Sequence, residues 1–212
     1  MRFLLLVLSL SLPVTAMAEG LFDRPASARE VQALLPTSAT GLTREGVLSG
    51  QFSQTKTLSD LPKPLLSSGR FLFARERGVI WQVLRPYPSE FVLTPHAMVT
   101  REGGRERVMA ASEQPGLAVA TRLFSALFTL DLAALEQDFL LHAAGSPEAW
   151  QLGLRPRHAA MAASFSEAVI RGGSAVKSIV LRDARGDSTE ITLSDLKAEN
   201  QLGREDAKRF PP

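Results

Sequence analysis

The chain has 212 residues, of which 24 are basic and 22 acidic, with 45% apolar positions and no cysteine. The missing cysteine excludes disulfides, thiolate metal sites, cysteine nucleophiles and a lipid-modified cysteine behind a leader sequence. The charges alternate in sign, as in Arg101-Glu102-Gly103-Gly104-Arg105-Glu106-Arg107, whereas a nucleic-acid surface needs concentrated basic charge.

In chain order, Met1-Arg2 precedes an apolar run from Phe3 to Leu8 that continues through Leu10 and Leu12 and closes on Ala16-Met17-Ala18. A basic start, a greasy centre and a small-x-small ending predict a secretory signal peptide over residues 1–18 that is removed. The run is shorter than the roughly 20 residues a membrane span needs. Residues 19–212 are then expected to form a single domain, long enough to bury its own core and working outside the cytoplasm. Ser27-Ala28-Arg29-Glu30 has the spacing of a capping box, and Val31, Leu34 and Leu35 fall on one face before Pro36, so residues 27–35 are predicted as a short amphipathic helix.

From residue 42 to 109 the period changes to two. Aromatic and β-branched runs at 47–56, 70–75, 78–84, 90–94, 97–101 and 105–109 are separated by turn residues, which predicts an antiparallel meander with Gly103-Gly104 as a hairpin turn. Leu117, Ala120, Phe124, Leu127 and Phe128 return to helical spacing with little polar relief, predicting a helix over 117–130 that is apolar around most of its girth, and Asp131 can cap a continuation to Leu135. Strands resume at 138–141, 149–155, 163–170, 176–182 and 188–194. In the last of these Thr189, Ile191 and Leu193 share one face against Glu190, Thr192 and Ser194, the pattern of a sheet with one buried and one wet side.

Converging reactive groups are not evident. His96, His142 and His158 lack metal-ligand spacing and are expected to be ordinary histidines. No Gly-x-Ser-x-Gly elbow occurs, Ser67-Ser68-Gly69 reads as a turn leading into a strand, and Gly103-Gly104 lies between strands rather than before a helix. Asp183 and Asp187 flank a turn, where aspartate commonly bonds its own backbone. No catalytic residue, no metal and no cofactor is expected, so the chain is read as a non-enzyme.

The segment Gly69-Arg70-Phe71-Leu72-Phe73-Ala74-Arg75-Glu76-Arg77-Gly78-Val79-Ile80-Trp81-Gln82-Val83-Leu84-Arg85-Pro86 is more specific. It resembles the LolA-like periplasmic outer-membrane lipoprotein carriers, which it matches without a gap at Gly69, Arg75, Trp81 and Pro86. Leu48-Ser49-Gly50-Gln51-Phe52-Ser53-Gln54 is similar to the family's first strand, and the order of elements through Ala207-Lys208-Arg209-Phe210-Pro211-Pro212 also fits, so the resemblance spans nearly all of residues 19–212.

The resemblance implies a mainly β (α+β) fold: a strongly curved antiparallel sheet forming an incomplete β-barrel, with an N-terminal helix and a helical lid over the concave apolar face. It implies a cavity lined by Leu48, Phe52, Phe71, Phe73, Val79, Trp81, Val83, Phe91 and Leu93. The lid would be formed by Leu117, Ala120, Phe124, Leu127 and Phe128, with Arg75 hydrogen-bonding lid carbonyls to hold it closed. A soluble periplasmic carrier is implied, shielding the acyl chains of lipoproteins between an inner-membrane release complex and an outer-membrane acceptor. It would be monomeric, touch membrane proteins only transiently and bind no nucleic acid.

The same cavity would suit a specialised carrier of another acylated or polyene lipid, and the same half-barrel an envelope-stress sensor of mislocalised lipoproteins. Glu76-Arg77 stand where the family commonly places a proline after the arginine, and the C-terminal extension that the best-known carriers have beyond the closing prolines is not found after Pro212.

Overall fold

The computed structural model describes residues 20–41, 46–110, 128–162 and 165–211. Helix α1 (Ala28–Leu34) begins at the expected capping box: the Ser27 hydroxyl accepts from the Glu30 amide at 3.3 Å, and the Glu30 carboxylate accepts from the Ser27 amide at 2.8 Å. The bond from the Ser27 amide, with further ones from Arg24 and the Ser27 hydroxyl, holds the Glu30 carboxyl down at about 2. Pro36 interrupts the helix, but its carbonyl accepts from the Ala39 amide and a further turn, α2 (Thr37–Gly41), follows.

Among the described residues eleven strands form one sheet. They are β1 (Val47–Thr57), β2 (Leu65–Ala74), β3 (Gly78–Arg85), β4 (Ser89–Leu93), β5 (Ala97–Glu102), β6 (Arg105–Ala110), β7 (Phe139–Ser146), β8 (Ala149–Pro156), β9 (Glu167–Gly172), β10 (Val176–Arg182) and β11 (Ser188–Glu199). Their order is β6-β5-β4-β3-β2-β1-β11-β10-β9-β8-β7, and every pairing is antiparallel. Two meanders thus meet along the long β1–β11 pair, while β6 and β7 remain edges. The sheet curves into an incomplete barrel without closing, as expected.

The remaining helices are α3 (Leu132–Asp138), capped by the Asp131 carboxylate accepting from the Ala134 amide at 3.0 Å, then α4 (Ala159–Ala162) and α5 (Arg204–Arg209). Several elements depart from the sequence expectation; β7 runs on to Ser146 and β11 to Glu199, past the expected ends at 141 and 194. β2 starts at Leu65, so Ser67-Ser68-Gly69 lies inside a strand instead of forming a turn. Residues 159–162 are helical and β9 starts only at Glu167. Helix α5 has no predicted counterpart, because six residues with a single apolar position show no period to read.

The inner face carries one continuous apolar cluster that joins β1–β4 to β7–β11 and takes in Val31 and Leu35 from the N-terminal helix region, Leu132 and Leu135 of α3, and Phe128. The outer face carries a smaller cluster, Val47, Ala74, Ile80, Val92 and Val99, capped by Phe210 just after α5. Burial of apolar area on both sides, at roughly 25 cal/mol per Å², is the main term holding the sheet in shape. The edge strand β7 is partly blocked where the Ala26 amide donates to the Leu141 carbonyl at 2.7 Å, which removes one open pairing position. Phe22 lies against Gly153 and edge-on to the buried His142, whose Nδ1 is 2.9 Å from the Arg24 carbonyl.

Candidate functional site

Register decides which side chains share the inner face, since directly paired residues of antiparallel strands point the same way. Leu48 pairs with Phe73, Phe73 with Val79, and Val79 with Leu93; one step along, Phe71 pairs with Trp81 and Trp81 with Phe91. Phe52 pairs with Gly69, and Gly69 with Val83. All nine residues of the expected wall, Leu48, Phe52, Phe71, Phe73, Val79, Trp81, Val83, Phe91 and Leu93, therefore lie on one side of the sheet. Met98, opposite Leu93, and Leu193, opposite Phe52, extend that side and were missed from sequence. Their signal lies in pairing register, which a single strand's alternation does not reveal.

The rings form a continuous stack. Phe52 lies on Trp81 with centroids 3.9 Å apart, and Trp81 neighbours Phe71 at 6.0 Å. Phe128 then covers both Phe71, at 5.3 Å, and Phe73, at 5.2 Å. Two glycines make room for this stack. A Cβ on Gly69 would stand 3.0 Å from the Phe52 ring and 1.9 Å from the Gln82 carbonyl oxygen, and one on Gly50 would stand 2.8 Å from the Phe71 ring. Gly69 is thus required for close backbone approach, which gives a physical reason for the residue that carried part of the resemblance.

Coverage of the wall is graded. Leu48, Phe52, Phe71 and Phe73 of β1 and β2 are buried, as are Val79 and Leu93 on the rung next to the β2–β3 turn, whereas Trp81 and Val83 of β3 are half-buried and Phe91 of β4 is 36% exposed. The apolar face therefore emerges on β3 and β4, toward the loop that joins them.

Of the expected lid, Leu117, Ala120, Phe124 and Leu127 lie outside the described residues, and Phe128 is the one placed against the wall. Arg75 sits in the β2–β3 turn with an exposed side chain, and its amide donates to the Gly46 carbonyl at 2.9 Å. Gly78, with φ +121°, completes that turn where a Cβ would meet the Leu93 carbonyl.

Among the described residues no group of three or more His, Asp or Glu could hold a metal; His142 lies in β7, and His96 and His158 lie in the loops before β5 and before α4. Burial lowers the His142 pKa from its ordinary value. A recess of about 460 Å³ on the outer face is lined by Gln51, Arg70, Gln82, Asp195, Lys197 and Arg209 among others, a polar setting unsuited to hydrocarbon. No described helix is long and apolar enough to cross a membrane.

The fold and its apolar inner face define a half-barrel of the lipid- or lipoprotein-binding carrier class. Residues 25–208 match the family model described as outer membrane lipoprotein carrier protein LolA-like, and the chain belongs to that family. Among solved structures it is similar to a LolA superfamily protein from Nitrosomonas europaea, at 10% identity and a TM-score of 0.47, covering 88% of this chain and 98% of that one. It is also similar to a putative outer membrane lipoprotein-sorting protein domain from Vibrio parahaemolyticus, at 11% identity and a TM-score of 0.45, covering 86% and 96%. LprF from Mycobacterium bovis matches at 14% identity and a TM-score of 0.39, covering 85% and 98%. No curated protein matches. At such scores these likenesses carry no argument about the site, and the family assignment rests on the family model.

Proposed function

We propose that this chain is a periplasmic carrier that takes up the acyl chains of lipoproteins along the aromatic wall of β1–β5 and releases them at an outer-membrane acceptor. The observation that supports this reading most is the graded coverage of the wall, buried on β1 and β2 and emerging on β3 and β4. A hydrocarbon chain in water forfeits about 0.8 kcal/mol per methylene, so a sixteen-carbon chain costs roughly 12 kcal/mol unless apolar surface replaces the membrane it leaves. Stacked rings offer such surface at low entropic cost, because each is fixed by only two torsions. Phe128 covers part of this surface and would be displaced by cargo. Apolar cover of this kind keeps an empty carrier from exposing a patch that promotes aggregation.

In this reading the segment 117–128 is the lid and Arg75 its latch, a role for which a guanidinium's fork of donors suits backbone carbonyls better than an ammonium does. The direct test is mass spectrometry of what elutes bound to the secreted protein, alongside titration with an apolar fluorophore. Acylated protein or lipid in the eluate is expected, together with saturable dye binding. A preparation that carries no lipid and ignores the dye would overturn the carrier reading. Arg75→Leu should change cargo transfer more than thermal stability, and unchanged transfer removes Arg75 from the mechanism.

A further inference from the structure

The exposed large apolar side chains are concentrated at one end of the sheet. Leu61, Leu65 and Leu66 belong to the loop after β1 and the start of β2, and Leu84 and Tyr87 to the β3–β4 connection. Ser68 pairs with Arg85, so Leu66 and Tyr87 stand two residues beyond the same rung on neighbouring strands, at 65% and 77% exposure. The two loops thus form one rim rather than scattered surface positions. Lys56, Lys63 and Arg85 sit on the same rim and form no ion pair among the described residues, while Asp60 and, at the base of the first loop, Asp187 are acidic. The first loop has a fixed base: the Asp187 carboxylate, 10% exposed, accepts from the Ser59 amide at 2.8 Å and from the Ser59 hydroxyl at 3.0 Å.

We propose that this rim is a docking surface for an anionic lipid bilayer. Exposed leucines and a tyrosine interleaved with three cations that stand outside any ion pair among the described residues match the chemistry of the headgroup boundary, where rings and aliphatic tips enter the acyl margin and cations meet phosphate. Pro62, Pro64, Pro86 and Pro88 reinforce the match, since each withholds an amide donor that would otherwise have to be desolvated. The same prolines make the loops poor templates for pairing with a partner's strand. Apolar contact and few cations give weak, reversible attachment, which fits a protein that must leave again. This goes beyond the carrier reading, in which membrane proteins alone are touched, and it does not depend on a cavity.

The test is co-sedimentation of the secreted chain with vesicles of phosphatidylglycerol and phosphatidylcholine in equal parts, against phosphatidylcholine alone. Binding is expected to the anionic vesicles and at least tenfold weaker binding to the neutral ones. Leu66→Glu combined with Tyr87→Glu should abolish it. Lys63→Gln combined with Arg85→Gln should weaken it about 25-fold at low salt, taking about 1 kcal/mol for each cation near the surface. All four positions are exposed, so unchanged circular dichroism and dye uptake serve as controls for folding and for the cavity. The proposal is overturned if anionic vesicles do not bind, if the Leu66/Tyr87 variant binds as well as the parent, or if only vesicles bearing envelope proteins capture the chain.

Discussion

The inner face of this sheet is built in two halves that differ in what closes them. On β7–β10 the side chains are mostly aliphatic and covered from above: Leu152, Leu154 and Ile170 are at most 1% exposed, with α1 packed on β7 and on α3. On β1–β5 the side chains are largely aromatic, and the wall passes from buried Phe73 to Phe91 at the surface. One sheet with one alternating pattern therefore yields a close-packed core at one end and an adaptable apolar surface at the other. Strand alternation sets which residues face inward, and the partner opposite decides whether they become core or binding surface.

Each half holds one tryptophan, which makes a matched pair of tests. Trp150 is 1% exposed, and its indole donates to the Gly173 carbonyl at 2.8 Å across a strand end where a Cβ on Gly172 would collide with the ring. Trp150→Ala should therefore lower unfolding free energy by about 4 kcal/mol, from the cavity and the orphaned carbonyl together. It should leave dye binding per folded molecule unchanged. Trp81→Ala should cost about 1–2 kcal/mol, because the ring is half-buried, and should weaken dye binding severalfold. Equal losses of stability with unchanged dye binding would make the two halves equivalent and the aromatic wall ordinary core. Between these falls Phe128→Ala, which should destabilise by about 3 kcal/mol and raise dye affinity by uncovering Phe71 and Phe73. Chemical denaturation and fluorescence titration on the same samples read both effects.

Much of this contrast was legible in the residues. The alternation at 78–84 and 90–94 places Val79, Trp81, Val83, Phe91 and Leu93 on one side, and pairing register then brings Leu48, Phe52, Phe71 and Phe73 to the same side. The capping box at Ser27 and the Asp131 cap were equally readable, since each depends on neighbours close in sequence. What sequence did not reveal depends on contacts between distant segments. Ser67-Ser68-Gly69 has turn composition, yet pairing with both β1 and β3 holds it extended, with Gly69 chosen for the Phe52 ring and the Gln82 carbonyl. Helix α5 is likewise stabilised by the outer face it covers rather than by its own period.

That outer cover supplies the smallest expected effect and a check on where the two halves are coupled. Glu90 of β4, with a side chain 15% exposed, accepts from Arg101 at 2.8 Å and from Arg209 at 2.6 Å, so a carboxylate beneath the aromatic half clamps the end of α5. Burial alone would raise the Glu90 pKa, but the hydrogen bonds from Arg209 and Arg101 outweigh it and hold the carboxyl below its ordinary value of 4.5. A carboxyl depressed on folding stabilises the folded state above its unfolded pKa, and that contribution disappears as pH falls through the lower folded value. As pH falls below 4.5 the clamp should therefore weaken, an effect moderated by solvent screening of the partly exposed arginines. Amide exchange at residues 204–210 should rise as the pH falls and stay low in β8 and β9, whose inner packing is aliphatic and whose Glu167 meets Arg155 and Arg182 only at 3.6 and 3.5 Å. Glu90→Gln should show the faster exchange already at pH 7 and lose the acid dependence. If exchange rises together in α5 and in β8–β9, the sheet opens as one unit, and the division into a rigid half and an adaptable half does not hold.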